Sequence, residues 1–203
     1  MKSDMFREST NTSEVSESIV RGVMQTLSEK DTVQLLEQAQ GISQRAVVML
    51  GIEYICFWLF LVYADLRANE PQKADKFMHE VIDKTVDALN GKTNPDGFLC
   101  LIHLKADLIE KYFYGSWVQL EPKTQKWIDQ HHRSAGLESL NEESWLGQLT
   151  LLLFAHVSLV LLDHKEWFDD IPSWMMVSIS CSGTALAYGN VFIDKFKEYK
   201  IKF

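Results

Sequence analysis

The longest apolar run in the chain is Ala46 to Ala64, AVVMLGIEYICFWLFLVYA, in which only Gly51 and Glu53 fall outside the apolar set. Arg45 precedes it, and Asp65 and Arg67 follow. Such a surface is not left in water, so other elements or lipid must cover it. A second run, Leu146 to Leu162, is interrupted by Gln148 and His156. Both runs are apolar all round, the pattern of a helix buried on every side.

The segments around them read as amphipathic helices. Ile19, Val20, Val23, Met24 and Leu27 step at helical spacing. Ser28-Glu29-Lys30-Asp31 resembles a capping box for a next helix that buries Val33 and Leu36 and ends at Gly41. The central helix is expected over 42–68, with Pro71 opening its successor. That successor carries a clear stripe: Ala74, Phe77, Met78, Val81, Ile82, Thr85 and Leu89. A helix over 96–114 follows, broken by Gly115-Ser116, and Pro122 opens a short helix over 123–133. Asn141 caps a helix over 142–164, Asp169 to Ser173 forms a turn, and a helix rich in small residues occupies 174–199. Residues 1–17 are polar and lack periodicity, which predicts an arm that is mobile or orders only against a partner. No segment alternates as a strand does. The prediction is an all-α domain over 18–203, with six to eight helices around two strongly apolar central ones.

Composition narrows the setting. The chain has 203 residues, 28 acidic against 20 basic, and a net charge of −8. That balance argues against nucleic-acid binding, which needs phosphate-neutralising cations. Cys56, Cys100 and Cys181 are odd in number, far apart and set in apolar runs, so they read as reduced core thiols in a cytoplasmic protein. The apolar runs are long enough to span a bilayer. Against a span, Glu53 falls near the middle of the first run, and arginine flanks it at both ends. The amphipathic helices also need apolar partners, which favours a soluble bundle over a membrane-associated one.

Candidate chemistry is sparse. Glu53 is a carboxylate inside an apolar helix, and His156 lies near the middle of the other. The pair reads as a buried polar contact, with proton transfer or metal ligation as the functional alternative. On the sequence alone, Glu53→Leu is neutral or stabilising if the partner is uncharged. His79 with Asp83, and His103 with Asp107, each put imidazole and carboxylate on one helix face. Glu80-x-x-Asp83 followed by Asp107-x-x-Glu110 is loosely similar to the paired acidic motifs that hold magnesium in all-α nucleoside-triphosphate pyrophosphohydrolases. A chain this acidic produces several such pairs by chance, and the Gly-Asp that accompanies the second motif there is absent. Asp129, His131 and His132 form a further ligand-type cluster. There is no GxSxG, HExxH or Gly-rich phosphate loop.

The expectation is therefore a non-enzymatic helical protein that works by protein–protein contact, self-association included, with no cofactor. Tryptophans near helix ends (Trp117, Trp127, Trp145, Trp167, Trp174) are candidate interface anchors. The alternatives are a hydrolase using magnesium or manganese on Glu80, Asp83, Asp107 and Glu110 with His79 and His103, and a membrane-associated protein.

Overall fold

Six α-helices order the computed structural model, which describes residues 9–28, 44–90, 105–119, 145–162, 171–198 and 200–201. They are α1 (Thr12–Leu27), α2 (Gln44–Asn69), α3 (Pro71–Asn90), α4 (Ala106–Tyr112), α5 (Trp145–Leu162) and α6 (Ile171–Glu198). A π-helical segment, Phe113–Val118, continues α4. The fold is the all-α bundle that the periodicity predicts. Outside the helices, a two-residue parallel pair forms in which β1 (Ser9–Thr10) sets Ser9 beside Lys200 and Thr10 beside Ile201 of β2 (Lys200–Ile201).

The cover for the first apolar run comes from protein. α2 lies at the centre and touches α1, α3, the π segment, α5 and α6. Tyr54, Phe57 and Leu59 are fully enclosed, and the whole of the predicted α3 stripe is buried. The Tyr54 hydroxyl donates to the Cys181 carbonyl at 3.0 Å and ties α2 to α6. Burial pushes the Cys181 thiol up to about 11. Burial, and then the nearby Glu53 charge, holds the Cys56 thiol well above its usual range.

Four expectations change. The helix expected over 96–114 begins only at Ala106, because Lys105 before it is extended. Helix α1 begins at Thr12, so residues 12–17 of the expected arm are helical, with Val15 and Ser16 buried. The cause is local. The Asn11 side chain accepts from the Ser13 and Glu14 amides at 2.9 and 3.1 Å, and Glu14 accepts back from the Asn11 amide at 3.0 Å. This is a complete capping box, and it starts the helix six residues ahead of the predicted position 18. Ser28 ends α1, its amide donating to Met24 O at 3.0 Å; the helix predicted beyond it lies outside the described residues. Gly115-Ser116 does not break its helix, because the chain passes through it in the wider π turn. Residue 171 rather than 174 opens α6, with Pro172 in the first turn, where no amide donor is needed.

Candidate functional site

Glu53 is 2 % exposed and His156 is 3 % exposed, and they meet between α2 and α5 with Glu53 Oε2 and His156 Nδ1 at 3.2 Å. Each interrupts an apolar helix, so each must find its polar partner inside the protein. Two further donors come from the α4–π segment. The Tyr112 hydroxyl donates to Glu53 Oε1, and Trp117 Nε1 donates to Glu53 Oε2 at 3.1 Å. The Tyr112 hydroxyl also lies 3.3 Å from His156 Nδ1. The Trp117 indole stacks on the His156 ring at 4.2 Å and 14°.

The π turn is what makes this possible. Tyr112 and Trp117 are five residues apart. At 100° per residue an α-helix would set them about 140° apart, on different faces. A turn closed by i→i+5 bonds brings residues five apart nearly into line, so both donors reach one carboxylate.

A carboxylate only accepts, so Nδ1 of His156 carries its proton toward Glu53. The carboxylate fixes the ring, the indole covers one face, and Nε2 is buried without a hydrogen-bond partner among the described residues. Chemically this is a carboxylate–imidazole pair of the kind that serves acid–base chemistry. It is closed to solvent, and it knits α2, α5 and the π segment together.

The other predicted residues lie elsewhere. His79 Nδ1 meets Glu110 Oε2 at 2.9 Å across α3 and α4, on a half-exposed surface. Glu80, Asp83 and Asp107 are exposed. His103, Asp129, His131 and His132 lie outside the described residues. Among the described residues, no three His, Cys, Asp or Glu side chains gather where they could share a metal ion. Trp117 and Trp174 are buried in the core rather than displayed as anchors.

The outward face of α6 is apolar or small and exposed. Met176, Ile179, Gly183, Ala187 and Val191 fall at steps of three and four, and all five are exposed. Met176 is 62 % exposed and Val191 56 %. A side chain added at Gly183 would meet nothing within 4 Å. Two helices, Ala46–Asn69 and Trp174–Glu198, are long and apolar enough to cross a membrane; the most apolar window of the first is 78 % buried inside the protein and that of the second 39 %. Compared with family models, with curated proteins and with solved structures, the chain shows no match.

Proposed function

We propose that the protein is a non-enzymatic helical interaction module of the cytoplasm that self-associates through the outer face of α6. The observation that carries this reading is the exposed stripe Met176, Ile179, Gly183, Ala187 and Val191, which is apolar or small at every step. The stripe is close to symmetric about Gly183. Antiparallel packing of two copies sets Met176 opposite Val191 and Ile179 opposite Ala187, with the two Gly183 backbones in close approach. Such a contact is isologous and closes as a dimer. The stripe spans 15 residue steps from Met176 to Val191, about 22 Å of helix. That is short for a permanent interface, so the dimer is weak and concentration-dependent.

Sedimentation over roughly two decades of concentration tests this. The wild type should move from monomer toward dimer, and Gly183→Glu or Ala187→Glu should stay monomeric with an unchanged helical spectrum. The space at Gly183 makes the first substitution harmless to the isolated fold. A wild type that stays monomeric throughout, or a glutamate variant that still dimerises, ends the proposal. Recovery of the expressed chain in the membrane pellet supports the membrane alternative instead.

A further inference from the structure

A cleft of about 290 Å³ opens where α1, α2 and α6 meet, and its lining differs from the rest of the molecule. Arg21 enters it from α1 and Lys195 from α6, and among the described residues no acidic side chain lines it. In a chain of net charge −8 that is a local reversal of sign. Neither cation has a hydrogen bond or ion pair among the described residues. Two unpaired cations in a shared cleft repel each other, and a bound anion relieves that repulsion.

The apolar part is aromatic. Trp58 and Phe192 stack at 4.7 Å and 28°, and Phe192 lies 6.2 Å from Phe196. Trp58 is almost fully buried, it lines the cleft, and its Nε1–H has no hydrogen-bond partner among the described residues. The volume lies at the lower edge of the range for small-molecule sites, about 300–1,000 Å³. Its aromatic walls suit one or two fused rings better than a flexible acyl chain.

We propose that this cleft is a binding site for a small aromatic carboxylate, held by Arg21 and Lys195 at its charged end and by Trp58, Phe192 and Phe196 along its ring. Guanidinium and ammonium groups supply charge-assisted hydrogen bonds to the carboxylate. The aromatic side chains supply dispersion and edge-to-face contact. Val191 lines both the cleft and the α6 stripe, whereas Arg21, Lys195, Trp58, Phe192 and Phe196 lie off that stripe.

Calorimetric titration of the full chain with 1-naphthoate tests the proposal, with 1-naphthalenemethanol as the uncharged control and decanoate as the acyl control. Saturable naphthoate binding is expected, with both controls weaker by about tenfold. Arg21→Gln and Lys195→Gln should each weaken naphthoate by roughly 3- to 10-fold and leave the alcohol unchanged. Both residues are exposed, so these variants keep the fold, and Ser18→Trp offers an independent block by filling the cleft. Equal binding of acid and alcohol, decanoate binding as tightly as naphthoate, indifference to both cation substitutions, or no saturation at millimolar naphthoate would each overturn it.

Discussion

A carboxylate inside an apolar helix persists only where donors replace the water it has lost. Glu53 has three: the Tyr112 hydroxyl, the Trp117 indole and the His156 imidazole. This reverses the expectation for Glu53→Leu. An apolar replacement at position 53 strands the buried Trp117 and His156 donors, at about 1–3 kcal/mol each. The loss in urea denaturation should be roughly 3–5 kcal/mol. Glu53→Gln should lose only about 1 kcal/mol, because its oxygen serves Trp117 while its amide donates to a reversed Tyr112 hydroxyl. A leucine variant as stable as wild type would show that the cluster contributes nothing net. Half of this cluster was legible in the chain: Glu53 and His156 stand out because each interrupts an apolar run. Tyr112 and Trp117 do not, because α-helical periodicity assigns them to different faces. Only an i→i+5 turn aligns them, and Gly115-Ser116 reads as a break before it reads as a widened turn.

Between elements, one crossing sets how closely α1 approaches α2. A Cβ placed on Gly22 would lie 2.0 Å from Trp58 Cη2 and 2.1 Å from Cζ3, so the indole rests directly on the α1 backbone. The ring cannot swing away, because Phe192 of α6 stacks against it. Gly22→Ala should therefore lower stability by roughly 1–3 kcal/mol, although alanine is the better helix former. A melting temperature equal to or above wild type would show that the crossing relaxes freely. This contact was hidden in the sequence, where Gly22 looks like a neutral interruption of an amphipathic stripe. The α3 stripe was plain, because its whole apolar face meets one neighbourhood at one period. The start of α1 was misplaced because apolar spacing begins at Ile19, whereas the turns before it are set by Asn11 and Glu14 and by the burial of Val15 and Ser16. Arg21 and Lys195 share a cleft that no reading of α1 or α6 alone could assemble.

Across the whole molecule, the buried acids Cys56, Cys181 and Tyr54 all hold their protons more tightly folded than unfolded, chiefly through burial. A raised folded value stabilises the protein fully below the unfolded value and is lost as pH rises toward the folded one. With Cys181 moved from 9.0 to about 11, that thiol alone should remove about 1.5 kcal/mol between pH 9 and pH 10.5. Urea midpoints at the two pH values check this, and an unchanged midpoint would contradict the burial of these groups. The all-α class and the central place of the Ala46–Ala64 run were readable because a long apolar run leaves few ways to cover it. The pairing of β1 with β2 was not, since two residues at each end carry no pattern. That pairing has a mechanical side. Parallel strands run the same way, so β1 points into the domain as β2 points out of it. A pull that draws the two ends of the chain apart therefore slides one strand along the other and loads the cross-strand hydrogen bonds together rather than in turn. Small as it is, the pair acts as a shear clasp ahead of the helices.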